Sequence, residues 1–376
     1  MNIKINKRLF KSLLIVSPII LTAIPLTSCS DSGSPDEKEI EKCNYTVKVY
    51  QQTSDNNSLN LYIGTGIKGY VSGKLFIDNL TTSFTCVIVG SEQFVGANIY
   101  IPKWVDVNGV IYKIISISGS YDAYANYEAK VVLPDSIAEI GDCAFYESAL
   151  LTNLILSDSI VSIGYAAFCG CTGLIAINLP RNITSIGGEG FAGCTGLTSI
   201  NLPHNITSIA FGTFRGCTSL TSINIPQNIT SIGGSAFENC ANMTSFNLPQ
   251  NITSIDGFAF ANCTNMTSID IPNSVTTLGA AIFGWCTNLI SIIIPNSVTS
   301  IGSSSMGPQT LFGECTNLKT IFFSGFAENP KWPSSNLIFS EVSDQGTLYT
   351  INGSWQSNDA LEFCKLQGLP PEWIAG

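Results

Sequence analysis

The sequence predicts a mainly β solenoid of the α/β class, with a parallel sheet along one face and short helical or 3₁₀ turns on the other. The first observation is a 23-residue period that begins at Pro134 and continues over about half of the chain. The second is that proline, phenylalanine and cysteine each keep this period in a fixed phase. Such a period is typical of stacked supersecondary units, each of which buries its apolar face against its neighbours.

One unit, residues 194–216, shows how the elements arise. Polar and apolar residues alternate over Ser199–Leu202, which is the pattern of a strand with one buried face. Pro203 ends this strand because proline has no N–H for the hydrogen-bonding ladder. Since every unit carries the strand in the same direction, the strands are expected to pair as a parallel sheet. Phe214 and Cys217 are three residues apart and are expected to share the inner face of a short turn.

Phenylalanine and cysteine form two columns along the predicted stack. Phenylalanine recurs at Phe145, Phe168, Phe191, Phe214, Phe237, Phe260, Phe283 and, after a six-residue insertion, Phe312. Cysteine recurs at Cys171, Cys194, Cys217, Cys240, Cys263, Cys286 and Cys315.

The cysteine column could be a metal site, a disulfide stack or a row of buried thiols. A zinc site needs four ligands that converge on one point, whereas these thiols lie along a line. Parallel side chains in adjacent repeats keep their Cβ atoms about 5 Å apart. This exceeds the roughly 3.5–4.5 Å between the Cβ atoms of a disulfide. We therefore favour buried free thiols and expect no metal. A bridge among the cysteines outside the column stays open: Cys43, Cys86, Cys143 and Cys364.

The repeat resembles the leucine-rich repeat of the BspA-like bacterial surface-antigen family, most clearly in LTSINIPQNITSIGGSAFENC at residues 220–240. The resemblance extends from Val131 to Phe323. It implies a leucine-rich repeat solenoid that is displayed on the bacterial cell surface and serves in binding or adhesion. It supplies no catalytic residues.

The N-terminus predicts a lipoprotein signal peptide over residues 1–28. Lys4 to Lys11 form a basic segment, and residues 12–26 form an apolar segment too short for a comfortable membrane span. Leu26-Thr27-Ser28-Cys29 resembles a bacterial lipobox, which implies that Cys29 is lipidated and anchors the protein to the membrane. An ordinary cleaved signal with a chance cysteine is the alternative. Residues 29–42 are polar and charged and are expected to be a flexible tether.

The solenoid is expected to span residues 131–323, and the regions on either side of it are expected to cap its two ends. Residues 43–130 read as a β-rich N-terminal cap, with strands at Tyr45–Tyr50, Leu59–Ile63 and Thr85–Val89 and a hairpin around Asn108-Gly109. Residues 324–376 depart from the 23-residue period and are expected to cover the last repeat.

The outward positions of the predicted sheet are the candidate binding face. They are Ser199, Asn201, Ser222, Asn224, Ser245, Asn247, Ser268, Asp270, Ile293 and Phe322. Most are polar and could simply be solvated, but the column becomes apolar at Ile293 and Phe322, which is typical of a binding patch. We expect the C-terminal cap to cover these two side chains.

Other motifs carry less weight. Gly64-Thr65-Gly66-Ile67-Lys68-Gly69 matches G-x-G-x-x-G but precedes a strand-like run where a dinucleotide site needs a helix. His204, the only histidine, occupies a turn position, and no nucleophile or general base can be assigned. Asn182, Asn205, Asn228 and Asn251 fit N-x-T and are interpreted as turn formers rather than glycan carriers.

These observations favour a non-catalytic, surface-anchored and monomeric module without a cofactor. Loss of the leader would move the net charge from −10 to −14, which argues against nucleic acid as a partner. A protein or glycan on a host or cell surface is the expected ligand. The alternative is a structural or antigenic coat element without a specific ligand, which the near-identity of the central repeats also permits.

Overall fold

The computed structural model describes residues 47–51, 58–65, 69–76, 83–87, 99–100, 104–107, 110–118, 131–152, 154–302, 310–326, 339, 342–351, 354, 356–366 and 369–376. Before residue 115 only the backbone is described. The predicted signal peptide, Cys29, the tether and the Asn108-Gly109 turn lie outside these residues.

The described chain is built mainly from short strands. They are β1 (Val47–Gln51), β2 (Ser58–Thr65), β3 (Gly69–Phe76), β4 (Ser83–Val87), β5 (Ile99–Tyr100), β6 (Trp104–Val107), β7 (Val110–Ser118), β8 (Val131–Val132), β9 (Glu139–Ile140), β10 (Leu154–Ile155), β11 (Ser162–Ile163), β12 (Ala176–Ile177), β13 (Ser185–Ile186), β14 (Ser199–Asn201), β15 (Ser208–Ile209), β16 (Ser222–Asn224), β17 (Ser231–Ile232), β18 (Ser254–Ile255), β19 (Ser268–Asp270), β20 (Thr277–Leu278), β21 (Ser291–Pro295), β22 (Ser300–Ile301), β23 (Thr320–Ser324), β24 (Thr347–Ile351) and β25 (Ile374–Ala375). One helix, α1 (Ser357–Leu366), follows β24.

The repeats stack as predicted, with parallel strands in register. The first row of strands consists of the sheets β10-β8-β5, β12-β14-β16 and β19-β21-β23-β24-β25. Ser199 pairs with Ser222 and Ile200 with Ile223, so each residue lies beside its equivalent in the next repeat. The buried isoleucines and exposed polar residues of this row confirm the predicted alternation.

A second row of strands was not predicted. It consists of β13-β11-β9-β7-β4, with β6 antiparallel to β7, and of β15-β17-β18-β20-β22. Its members in the central repeats are only two residues long, as in Ser208–Ile209, where Ile209 is buried. Most repeats therefore contribute two strands, with the proline turn between them.

The side opposite the sheet rows consists of hydrogen-bonded turns, and we call it the turn side. The N–H of Cys169 binds the carbonyl of Ala166, which is the i→i+3 bond of a 3₁₀ turn. The N–H groups of Phe168 and Gly170 instead bind carbonyls of the next repeat. Ala166 and Gly170 have φ values of 50° and 75°, and these left-handed residues prevent a continuous helix. The turn side is thus a ribbon that is hydrogen-bonded from repeat to repeat.

The phenylalanine column fills the core between the turn side and the strands. Phe145 to Phe312 are all buried, and neighbouring rings lie nearly parallel. The distance between ring centroids is 5.2 Å for Phe145 and Phe168 and 6.0 Å for Phe260 and Phe283. Near-parallel planes at these distances correspond to offset stacking.

Strands on both sides of residues 131–323 join the same rows. In the N-terminal region, β7 pairs with β9, and its antiparallel pairing with β6 places Val107 opposite Val110, as the hairpin prediction requires. In the C-terminal region, Thr320 pairs with Thr347, which pairs with Ile374, so the period changes from 23 to 27 residues rather than ending. Phe339 stacks on Phe312 at 5.4 Å and extends the aromatic column.

Candidate binding surface

The outward side chains of the first row form straight columns. Register places Asn201 beside Asn224, and Asp270 in line with Ile293 and Phe322. The eight polar members of the candidate face are all exposed: Ser199, Asn201, Ser222, Asn224, Ser245, Asn247, Ser268 and Asp270. Ile293 and Phe322 are half-buried. Eight of the ten predicted residues therefore lie at outward positions of paired strands, in two separate sheets.

The first row is interrupted at residues 245–247, where strand pairing is absent. Ser245 and Asn247 are exposed as predicted but do not belong to a strand. Between them Phe246 occupies the buried position that isoleucine holds in neighbouring repeats, and its ring lies 5.1 Å from Phe237 and 4.6 Å from Phe260. The interruption of strand pairing thus coincides with the larger side chain in the core.

The described residues of the C-terminal segment add β24 and β25 beside β23. Tyr349 thereby joins the column, and its ring stacks on Phe322 at 5.1 Å between centroids. We call Ile293, Phe322 and Tyr349 the apolar strip. Ile290, which is 48% exposed, lies close by on the preceding loop. The expected cover of Ile293 and Phe322 by the rest of the C-terminal segment stays a prediction.

A second apolar area, on the N-terminal side of the polar columns of the first row, was missed. Ile155 and Ile175 are 52% and 58% exposed. Ile155 occupies the column position that Asn201 and Asn224 hold two and three repeats later. The exposed face is therefore polar in its central repeats and carries apolar residues on both sides of them. Extending the 23-residue step backwards from Asn201 could have revealed this.

The cysteine column consists of buried thiols, as predicted. Cys171, Cys194, Cys217, Cys240, Cys263, Cys286 and Cys315 are all free and buried. Burial raises the pKa of the Cys217 and Cys286 thiols to about 12. Cys143 and Cys364 are also buried and unbridged. Cys43 and the side chain of Cys86 lie outside the described residues.

The lesser motifs have structural roles where the structure describes them. Thr65 of β2 pairs antiparallel with Gly69 of β3, so the glycine-rich motif spans a hairpin rather than the start of a helix. His204 is exposed and lines an open depression of about 520 Å³ that contains no carboxylate. Asn205 and Asn251 each donate from Nδ2 to a backbone carbonyl of the preceding repeat, which agrees with their interpretation as turn formers.

The described residues contain neither a metal-binding cluster nor a helix that could span a membrane. No group of three or more histidine, cysteine or acidic side chains there is arranged to hold a metal ion. Within the same residues, no helix combines the length and apolar character that a membrane span requires.

Comparisons with known proteins identify the repeat. The model of the BspA type leucine rich repeat region matches in six copies over residues 118–242 and 211–329, more than half of the chain. A leucine-rich repeat protein from Bacteroides ovatus is similar in structure, with a TM-score of 0.59 and 23% identity over 87% of this chain and 79% of that chain. At this identity the likeness supports the fold alone.

Two further solved structures are similar at lower scores. A leucine rich cell surface protein from Faecalibacterium prausnitzii has a TM-score of 0.41 and 21% identity over 83% of this chain and 96% of that chain. The pneumococcal vaccine antigen PcpA has a TM-score of 0.43 and 15% identity over 87% of this chain and 98% of that chain. No curated protein matches the sequence significantly. The family match and the stacked 23-residue repeats together show that the chain belongs to the BspA-type leucine-rich repeat family.

Proposed function

We propose that the protein is a non-catalytic recognition module of the bacterial cell surface, which binds an extended protein or glycan along the first row. One observation carries this proposal: on the exposed face Asp270 lies in register with the apolar strip, and the polar columns of the earlier repeats occupy the same outward positions. A sheet offers its side chains at a repeat of about 4.8 Å, which suits an extended partner. The polar columns supply hydrogen bonds, and the apolar strip supplies the aromatic contact that dominates many binding energies.

The apolar strip is the expected centre of binding. Phe322 and Tyr349 present two stacked rings, with Ile293 beside them in the same column. Polar side chains such as Asp270 border the strip on one side. An exposed apolar area with a polar border is typical of an interaction surface. Binding there would bury the remaining exposed parts of these side chains.

Lipid anchoring at Cys29 belongs to the same proposal. The basic and apolar leader and the Leu26-Thr27-Ser28-Cys29 motif support it. Two acyl chains would hold the protein stably at the membrane, whereas a single chain gives only marginal binding. The polar segment up to residue 42 would separate the solenoid from the bilayer. Family membership supports a surface location.

A structural or antigenic coat element is the second candidate. The observation that favours it is the uniformity of the central columns, in which Asn201 and Asn224, and likewise Ser199 and Ser222, are identical neighbours. A surface selected for one ligand would be expected to vary along its length. The apolar residues on both sides of the central repeats argue for recognition.

A binding screen separates the two candidates. The mature protein, immobilised through its N-terminal tether, would be tested against host-matrix proteins and glycans. Recognition predicts saturable binding that is weakened by substitutions in the apolar strip. An absence of saturable binding across the screen would favour the coat element.

A further inference from the structure

Two exposed aromatic rings lie where the second row meets the turn side. Tyr165 and Phe211 follow shortly after β11 and β15 and are 42% and 53% exposed. They occupy the same repeat position two repeats apart, and Gly188 holds that position in the repeat between them. This surface is separate from the outward face of the first row, so the inference does not rest on the proposed function.

Glycines determine how the two rings lie. A Cβ at Gly188 would be 3.5 Å from Cδ2 of Tyr165, and a Cβ at Gly234 would be 3.5 Å from Cδ2 of Phe211. Each ring therefore extends along the stack, over the glycine of the next repeat. Aromatic residue and glycine alternate at this position from Tyr165 to Gly234, which places two exposed rings two repeats apart.

A network of hydrogen-bonded polar side chains lies beside the two rings. The hydroxyl of Tyr165 donates to Oε2 of Glu189 at 2.9 Å, and Nη2 of Arg215 donates to Oε1 of the same carboxylate at 2.9 Å. Glu189 belongs to the rung between the two rings and lies against Gly212, whose Cβ would be 3.2 Å from its Cγ. The Arg215 side chain is 42% exposed. The planar guanidinium of Arg215 and the planar carboxylate of Glu189 thus lie next to the rings.

The distance between the two exposed rings along the stack follows from the repeat spacing in the core beneath them. The ring centroids of Phe168, Phe191 and Phe214 in the same repeats are 5.1 and 5.8 Å apart. Strand spacing gives about 4.8 Å per rung. Two rungs therefore separate Tyr165 and Phe211 by roughly 10 Å along the stack.

This arrangement matches the chemistry of an extended sugar chain. A pyranose presents a flat face of C–H groups, which packs on the negative face of an aromatic ring. Its hydroxyl groups lie at the edge, where carboxylate and guanidinium groups bind them. In an extended β-1,4-linked chain each sugar is turned over relative to the one before, and one sugar advances by about one rung. Every second sugar then presents the same face. This spacing matches Tyr165 and Phe211, which lie two repeats apart.

We propose that Tyr165, Phe211 and the Glu189–Arg215 pair form a binding site for an extended β-1,4-linked glycan. Tyr165 and Phe211 stack on alternate sugars, and the sugar between them faces away from the protein. Arg215 binds the hydroxyl groups along the edge of the chain, and Glu189, whose side chain is only 16% exposed, holds Arg215 and Tyr165 in position.

The test compares two glucose hexamers by isothermal titration calorimetry with the mature full-length protein. Cellohexaose has the β-1,4 linkage, whereas maltohexaose is coiled by its α-1,4 linkage and does not keep the two-rung repeat. We expect saturable binding of cellohexaose and at least tenfold weaker binding of maltohexaose. Failure of the folded protein to bind cellohexaose, or equal affinity for both hexamers, would overturn the proposal.

Variants locate the site. Phe211→Ala should weaken cellohexaose binding at least tenfold, and Tyr165→Phe, which keeps the ring but loses the bond to Glu189, should weaken it less. Trp285→Ala is the matched control, because Trp285 is 45% exposed but occupies a different position on the turn side. It should bind like the wild type, as should Ile293→Ser/Phe322→Ser, which alters the first row. Unchanged binding by a folded Phe211→Ala, or lost binding by either control, would overturn this location.

Discussion

The thiol of Cys217 donates a hydrogen bond of 3.1 Å to the backbone carbonyl of Phe191, 26 residues before it. The same carbonyl accepts the backbone N–H of Cys194 at 3.2 Å. One acceptor thus closes a turn within its own repeat and joins that repeat to the next. The bond recurs along the column, for example from Cys240 to Phe214 and from Cys263 to Phe237. Cysteine therefore contributes a directed hydrogen bond as well as apolar volume.

Alkali should destabilise the protein through these thiols. Burial raises the pKa of Cys217 to about 12, whereas an unfolded thiol titrates near pH 8.5. Between these values the unfolded chain releases protons that the folded chain retains, so the free energy of unfolding falls as the pH rises. Each such thiol contributes about 1.4 kcal/mol per pH unit. Urea unfolding measured at several pH values above about 8.5 tests this.

The control for the alkaline effect is a variant with Cys194, Cys217 and Cys240 replaced by alanine. Other groups titrate in the same range, so the comparison is between the two slopes of stability against pH. The variant should show a shallower slope. Equal slopes would contradict the assignment to the thiols.

Removal of one ring from the aromatic column should be costly. Phe214 is fully buried and stacks between Phe191 and Phe237 at 5.8 and 5.5 Å. We expect Phe214→Ala to reduce the free energy of unfolding by about 3–5 kcal/mol because it leaves a cavity in a packed core. Phe214→Leu should cost less, since it retains most of the volume. Chemical denaturation measures both, and a cost below 1 kcal/mol for alanine would contradict the packing.

Left-handed positions on the turn side should accept asparagine but not valine. Gly193 has a φ of 68°, and the equivalent residues Asn239 and Asn262 have φ values of 61° and 56°. Gly193→Asn should therefore change stability by less than about 1 kcal/mol, whereas Gly193→Val should cost clearly more because a β-branched residue is strained there. Thermal unfolding of the two variants provides the comparison. Equal melting temperatures would be inconsistent with this explanation.

Substitution of the apolar strip should weaken ligand binding on the first row. Ile293→Ser/Phe322→Ser removes the half-buried side chains that lie in line with Tyr349. For any ligand found in the screen we expect at least tenfold weaker binding, about 1.4 kcal/mol. Ser199→Ala/Ser222→Ala, in the exposed polar column, is the control and should change affinity little. Normal binding by the strip variant, or its failure to fold, would contradict this location.

Replacement of Cys29 should release the protein from the membrane. Lipidation requires the cysteine thiol, so Cys29→Ala should move the protein from the detergent phase to the aqueous phase in Triton X-114 partitioning. Cys43→Ala, which lies beyond the predicted tether, should partition like the wild type. Unchanged partitioning of Cys29→Ala would refute the lipoprotein proposal.

The sequence was sufficient to predict the elements that recur most strictly. Alternation around Ile200 predicted a first-row strand, and the columns of Phe214 and Cys217 predicted the core behind it. The second row was not predicted, because a strand as short as Ser208–Ile209 is too brief for alternation to be visible. Its pairing with Ser231–Ile232 depends on a contact 23 residues away along the chain.

The interruption of the first row could not be predicted because it depends on packing volume. Replacing isoleucine by Phe246 conserves apolar character, so the pattern gave no sign that the first row would be interrupted. The change to a 27-residue period after Thr320 appears only through pairing with Thr347 and Ile374. The exposed columns of serine and asparagine could be predicted, whereas the exposed rings of Tyr165 and Phe211 could not, although their alternation with glycine was visible in the sequence.

The backbone hydrogen bonds between repeats have a mechanical consequence, because they run along the stacking axis. A pull along that axis loads one interface at a time, so the stack would open from an end, one rung after another. Each rung released would add 23 residues, or about 80 Å of extended chain. With the proposed anchor at Cys29, a cell pulled through the C-terminal end of this protein would be slowed in successive steps as the chain lengthens, rather than detached in a single rupture.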